Sequence, residues 1–214
     1  MKVIDLTHTI AADMPVYPGT EPPVLTMANT YEKDGFKETL LHLYSHTGTH
    51  MDAPHHIFPD GTALDEFGAS EFVGQGLVID AADVPAGGRI DFSHVQKSRE
   101  MADKAEFLIF RTGWEQYWGQ AAYFGEFPVI SEDVADYLLQ TGKKGIGLDT
   151  ISLDPLADDA LTMHHKFLAP DRAVIIENLC NLALLGSDLF LFAALPLKFL
   201  RSDGAPVRAV GILP

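Results

Sequence analysis

Short runs of apolar residues recur along the chain at lengths that suit strands rather than long helices. They are "KVIDLTH" (2–8), "ETLLHLYSH" (38–46), "GLVID" (76–80), "EFLIFRTG" (106–113), "GIGLD" (145–149), "AVIIEN" (173–178), "LFLFAAL" (189–195) and "VRAVGIL" (207–213). Several are apolar at consecutive positions, which predicts strands covered on both faces. One stretch has helical spacing instead. In "SEDVADYLLQTG" Val134, Tyr137 and Leu138 form an apolar stripe, and Ser131 stands at the N-cap position. Glu132 and Asp133 complement the positive end of the helix dipole, and Gly142 can close the C-terminus. A second helix is expected within residues 93–104 and a short one after Trp114. The pattern predicts a β-rich mixed α/β fold. No repeat, low-complexity tract or change of composition divides the chain, so residues 1–214 are expected to form a single domain.

Composition narrows the class. Hydrophobic residues make up 47% and charged residues 21% of 214 positions, enough to bury a substantial core in an ordinary globular protein. The longest apolar run, "LALLGSDLFLFAALPL", is interrupted by Asp188 and Pro196 and reads as core rather than a membrane span. The opening "MKVIDLTH" starts directly on a strand pattern without a secretory segment, so a cytoplasmic location is expected. Fifteen basic against 30 acidic residues give a net charge of −15, which repels phosphate backbones and argues against a nucleic-acid partner. Carboxylates that hold metal ions would contribute to that excess. The single Cys180 excludes an internal disulfide and a Cys-rich zinc site, and its setting in "VIIENLCNLAL" marks it as a small buried hydrophobe.

The chemistry concentrates in "SHTGTHMDAPHHIFPDG", residues 45–61, which holds four of the nine histidines. Counting in twos along a strand puts His46, Gly48, His50 and Asp52 on one face, with the bare glycine leaving room for an ion. Pro54 then disrupts the ladder, and the turn residues Pro59, Asp60 and Gly61 can swing His56 back toward the same focus. Imidazole nitrogen and carboxylate oxygen are ligands that zinc, manganese and iron accept. Surface histidines of a flexible loop are the alternative, and such crowding argues against it. Further ligands are expected from elsewhere in the chain. "TMHHKFL" offers His164 and His165; neighbours on a strand face opposite ways, so at most one of them is expected to bind. "VIIENL" offers Glu177, an acid in an apolar run, for which an ion pair with Arg or Lys is the competing explanation.

"HTGTHMDAPHH" resembles the H-x-G-T-H-x-D-A-P-x-H signature of the cyclase family of metal-dependent hydrolases, the kynurenine formamidase and isatin hydrolase type. "DLTHTI" with "MPVYPGT", "GLDTISLDP", "MHHKFL" with "VIIENL", and "LPLKF" with "DGAPVRAVGIL" are similar as well, so the resemblance spans nearly the whole chain. It implies a mixed-sheet, barrel-like α/β fold, a homodimer or homotetramer, and one or two divalent ions, zinc or else manganese. Carried over by position, it implies that His46, His50 and Asp52 bind a first ion and that Asp52 bridges to a second completed by His164 and Glu177. His56 would be the proton donor and acceptor. Two departures stand out. Where kynurenine formamidases usually carry a pocket-lining tryptophan, this chain has Tyr17, and "PHH" makes His55 a competitor for His56 although the signature spacing points to His56.

Such a site suits hydrolysis of an amide bond in an aryl formamide, such as N-formylkynurenine, or in a cyclic amide. A metal ion activates water and polarises the carbonyl, and a free histidine carries a proton to the leaving nitrogen. Two rivals use the same residues. A metal-dependent small-molecule binding protein would need no proton shuttle. A non-haem iron oxygenase would use His50, Asp52 and one distant histidine, with Arg172 as anchor for an oxo acid, and would leave His46, His56 and Glu177 surplus. The aromatic segment "GWEQYWGQAAYFGEF" can be a flap, an interface or core, and Arg201 and Arg208 are candidate carboxylate binders or solvated surface.

Overall fold

A computed structural model describes residues 1–214. Its strands are β1 (Lys2–Asp5), β2 (Val24–Asn29), β3 (Glu38–His42), β4 (His50–Asp52), β5 (Val73–Asp80), β6 (Arg89–Ile90), β7 (Phe107–Arg111), β8 (Val129–Ile130), β9 (Gly145–Leu148), β10 (Val174–Glu177), β11 (Phe190–Pro196) and β12 (Gly204–Leu213). The helices are α1 (Tyr31–Asp34), α2 (Phe92–Gln96), α3 (Arg99–Lys104), α4 (Glu132–Gln140) and α5 (Thr162–Leu168). Seven strands close into a barrel in the order β12-β11-β5-β7-β9-β10-β4, the ring being completed by pairing of β4 with β12. β5, β7, β9 and β10 run parallel, which requires crossovers; helices α2 to α5 lie in these connections. The remaining pairings in the ring are antiparallel. β1 lengthens the edge of β12 beyond the stretch that β4 occupies.

The consecutive apolar runs are explained by two cores. Phe107 and Ile109 of β7 point into the barrel with Val78, Ile176, Phe192 and Met51. Leu108 and Phe110 point outward beneath Val134, Leu138 and Phe167 of the helices, beside Ile79 and Leu148. Each parallel strand therefore buries both faces. The aromatic segment forms a third, smaller core: Tyr123 is fully buried with Phe127, Val129 and Ile151, flanked by Trp114 and Trp118. No helix is long and apolar enough to cross a membrane.

Local expectations differ from the structure in four places. The strand expected over 38–46 ends at His42, and β3 instead forms an exposed ribbon with β2. Residues 93–104 form two short helices broken at Lys97 and Ser98. The segment from Trp114 forms two 3₁₀ turns, Trp114–Tyr117 and Ala121–Phe124. Ser131 does occupy the N-cap of α4, but its hydroxyl makes no capping bond and donates to the Ile90 carbonyl at 3.0 Å; Gly142 closes the other helix end at φ +64.

Phe107 is inaccessible to solvent and stacks edge-on against Phe192 at 5.1 Å between ring centres. Its truncation in Phe107→Ala is expected to cost about 3–5 kcal/mol, read from chemical denaturation at unchanged slope. A cost under about 1 kcal/mol would show that the barrel interior collapses around the gap.

Candidate metal centre

The site lies where β4 meets β10 at one mouth of the barrel. His50 is paired in register with Glu177, and Asp52 with Ile175 on one side and Gly204 on the other. Closure of the ring thus brings β4, β10 and β12 to one place. His46 is not on this sheet. The chain turns between Tyr44 and Thr49, and Gly48 takes φ +67, a left-handed conformation that favours glycine. Strand alternation therefore does not bring His46 to His50; the turn does. Nor is Gly48 bare to make room for an ion, since a Cβ there would meet Met14 Cε at 3.3 Å.

Three imidazoles share one design. His50 donates from Nδ1 to the Gly48 carbonyl at 2.8 Å, which turns Nε2 to Asp52 Oδ1 at 3.3 Å and Glu177 Oε2 at 3.5 Å. His164 donates from Nδ1 to Asp154 Oδ2 at 2.6 Å, and its Nε2 stands 3.4 Å from Asp52 Oδ2 and 3.3 Å from Glu177 Oε1. His46 places Nε2 3.0 Å from Asp203 Oδ2 and Nδ1 2.6 Å from Asp52 Oδ1. An anchoring acceptor on one ring nitrogen fixes the tautomer and aims the other nitrogen, which is how metal-binding histidines are held. Asp52 is common to both groups: one oxygen faces His46 and His50, the other His164. The ligand atoms within His46, His50 and Asp52 lie within 4.8 Å of one another, as do those of Asp52, His164 and Glu177.

Electrostatics fits a cation at this place. Asp52, Asp154 and Glu177 are buried together, and burial raises a carboxyl pKa unless positive charge balances it. Against that burial, His46 and His50 hold Asp52 well below the usual carboxylate range. Burial would lower His46, but Asp52 and Asp203 hold it up at about 10; Asp154, Asp52 and Glu177 likewise raise His164 against its burial. Protons on these imidazoles supply the positive charge that the donor set demands, and a divalent ion bound to them would replace those protons.

The remaining expected residues divide clearly. His164 and His165 sit on α5, not on a strand; His164 is buried in the cluster, whereas His165 is exposed and packs edge-on against Phe58. Glu177 has no Arg or Lys partner; its Oε1 accepts from the Leu153 amide at 2.7 Å. His56 lies with its ring centre 4.0 Å from that of His46, and burial lowers its pKa to about 4. No side-chain hydrogen bond ties it, and it lines the cavity, as His55 does not. Tyr17 lines the same cavity at 40% exposure. Arg172 donates to the Leu139 carbonyl and Arg208 pairs with Asp5, so neither faces the site. Cys180 is buried, and burial pushes its thiol up to about 12.

Several residues were not read from the sequence. Asp154 and Asp203 anchor His164 and His46, and Asp154 also accepts from the amides of Met163 and His164 at the start of α5. Asn178 donates to the Gly48 carbonyl at 2.9 Å and accepts from the Tyr123 hydroxyl at 2.7 Å, tying the turn to the barrel. Gly204 leaves the space that the His46 ring fills, because any Cβ there would collide with it. The segments containing Asp154 and Asp203 stand out in the family resemblance, but only folding gives their carboxylates a partner. The cavity measures about 420 Å³, the size of a small-molecule site.

The chain matches the Cyclase family over residues 4–155, and it belongs to that family. Kynurenine formamidase of Bacillus mycoides (strain KBAB4) is 31% identical over 97% of this chain and 95% of its own length. That of Bacillus anthracis is also 31% identical, over 98% of this chain and 96% of its own. An isatin hydrolase solved with the product analogue thioisatinate has a TM-score of 0.89 at 24% identity, covering 100% of this chain and 92% of that one, a likeness of fold. A protein from Bacillus stearothermophilus described as a predicted metal-dependent hydrolase has a TM-score of 0.78 at 27% identity, covering 98% of this chain and 97% of that one.

Because His46 and His164 carry raised pKa values, protons compete with a divalent ion for them. Raising the pH removes that competitor, so affinity for Zn²⁺ or Mn²⁺ is expected to climb from pH 6.5 toward about 10, the value for His46. Calorimetry in buffers of different ionisation enthalpy should record release of about one to two protons per site filled. Uptake without proton release would remove these imidazoles from the ligand set.

Proposed function

We propose that residues 1–214 form a single metal-dependent hydrolase domain that cleaves a C–N bond other than a peptide bond, in an aryl formamide such as N-formylkynurenine or in a cyclic amide. The observation that carries this reading is the pair of buried histidine–carboxylate groups sharing Asp52, with an untied fourth imidazole, His56, beside them. His46, His50 and Asp52 would hold one divalent ion, and Asp52, His164 and Glu177 a second, zinc or else manganese. A bound ion supplies acidified water, its pKa lowered from about 15.7 to about 7, and polarisation of the carbonyl. The relatives named kynurenine formamidase and the 27%-identical metal-dependent hydrolase support the same class.

His56 does the proton work. Burial keeps its ring neutral at neutral pH, so a ring nitrogen is open to a proton, although the lowered pKa makes it a weaker base than a free imidazole. It can then return that proton to the nitrogen as the C–N bond breaks. Pro15, Val16 and Tyr17 line the cavity and offer apolar surface to a ring bound there. A facial-triad oxygenase fits less well, because Asp52 serves two groups and five candidate ligands converge where a triad needs three.

In metal-loaded protein, hydrolysis is expected with N-formylkynurenine, isatin or a simple cyclic amide. His56→Ala should lower kcat by about 10²–10⁴ while metal content stays constant. Loss of metal in step with activity would make His56 a ligand. Turnover of cyclic amides alone would keep the class and discard the formamidase assignment.

The same reading includes self-association. The β2–β3 ribbon shows both faces to solvent, and an isolated two-stranded ribbon has little stability of its own. Leu25, Met27 and Leu41 are exposed on one face and Val24 and Leu40 on the other. A second copy would cover this apolar surface. Light scattering is expected to give a dimer or tetramer, and Met27→Asp with Leu40→Asp to shift it toward monomer; a monomeric parent protein would refute the association.

A further inference from the structure

The inner and outer ends of the cavity differ in charge, and the difference bears on which amide it admits. Buried His50, Asp52, His164 and Glu177 line its inner part, with half-buried His46 and His56 near them, and the exposed lining residues are Tyr17 and Asp159. No Lys or Arg lines the cavity at either end. Asp158 is occupied by the amides of Ala160 and Thr162 at 3.1 and 3.2 Å, whereas exposed Asp159 makes no hydrogen bond or ion pair within the chain. Tyr17 is held in a tight turn, with the Thr20 amide donating to its carbonyl at 3.0 Å. An aromatic ring and an unpaired carboxylate at one mouth are the two groups that favour an ammonium, by cation–π contact and by charge-assisted hydrogen bonding.

We propose that Asp159 is a specificity-determining residue: its carboxylate receives an ammonium or amine at the end of the substrate remote from the scissile amide, and the pocket discriminates against a carboxylate there. The inference rests on the hydrolase reading above and names its substrate class, amides that are neutral or bear an ammonium at the outer end; N-formylkynurenine falls within it through its ammonium, and an amide bearing a carboxylate alone does not. Tyr17 and Asp159 line the same cavity and both are exposed, so a ligand in it can meet the ring and the carboxylate together. A ligand that covers Asp159 strips water from the carboxylate, and only a donor in the ligand can compensate. An anionic group in that place would have no cation to meet. The −15 net charge of the chain adds repulsion at longer range.

Three substrates with one framework separate the possibilities: 3-(aminomethyl)formanilide, formanilide and 3-formamidobenzoate. With metal-loaded protein, kcat/KM is expected to fall in that order. Asp159→Asn should reduce the cation-to-neutral selectivity ratio about tenfold, mainly through KM. Asp159→Lys should place the anion above the cation. An anion hydrolysed as well as the cation by the parent protein, or a ratio unmoved by Asp159→Asn, would overturn the assignment of Asp159 while leaving the hydrolase reading intact. If none of the three is hydrolysed, the formamide branch of the reading fails, and the hydrolase reading fails with it only if isatin and simple cyclic amides are also untouched. Charge preference is then read from binding of benzylamine against benzoate, where tighter benzoate binding would overturn the inference and tighter benzylamine, weakened in Asp159→Asn, would support it.

Discussion

Charge balance around Asp52 is the constraint on which the site depends. Three carboxylates that water cannot reach and three imidazoles occupy one small volume, and none of the carboxylates is neutralised by Lys or Arg. In a medium of low dielectric such a group must carry compensating positive charge, either as protons on the imidazoles or as a bound cation. A protein without use for a cation would gain stability by replacing these residues with apolar ones of similar size. Their retention in the barrel mouth is understandable if the compensating charge is the functional part.

The barrel is what allows a cluster of this kind to be rigid. Asp52 belongs to a strand of only three residues, yet that strand is paired on both sides, to β10 and to β12. Its backbone is paired on both edges while His50 and Asp52 face the cavity and Met51 faces the barrel core. His164 and His46 come from outside the sheet, and each is aimed by a separate carboxylate, Asp154 or Asp203. The first is set by the start of a helix and the second by the start of β12. Loss of either anchor would free a ring to rotate without moving the backbone.

Membership of the Cyclase family bears on the chemistry at the inner part of the cavity, whereas its exposed side is lined by Tyr17 and Asp159. Tyr17 stands where the resemblance leads one to expect tryptophan. A smaller ring with a polar tip contributes less apolar surface and adds a hydrogen-bonding group. Asp159 carries the only cavity-lining carboxylate outside the cluster. Together they give the cavity a polar, negatively charged lining on its exposed side.

Much of this was legible in the amino-acid order. Consecutive apolar residues in "EFLIF", "GIGL" and "AVIIE" announced strands buried on both faces, since only a sheet covered inside and out leaves no position for polar side chains. The spacing of His46, His50, Asp52 and His56 announced a cluster, because those residue types seldom crowd together without shared chemistry. The reason for their convergence was not legible: alternation along one strand was the wrong geometry, and a left-handed turn at Gly48 supplied the right one. The choice of His164 over His165 was likewise made by the phase of a helix whose apolar face includes Met163, Phe167 and Leu168. Asp154, Asn178, Asp203 and Gly204 acquire their roles from partners tens of residues away, through ring closure between β4, β10 and β12. Local order along a chain records which groups are present and how each segment prefers to bend; which of them face one another depends on long-range pairing, and that is a property of the folded barrel alone.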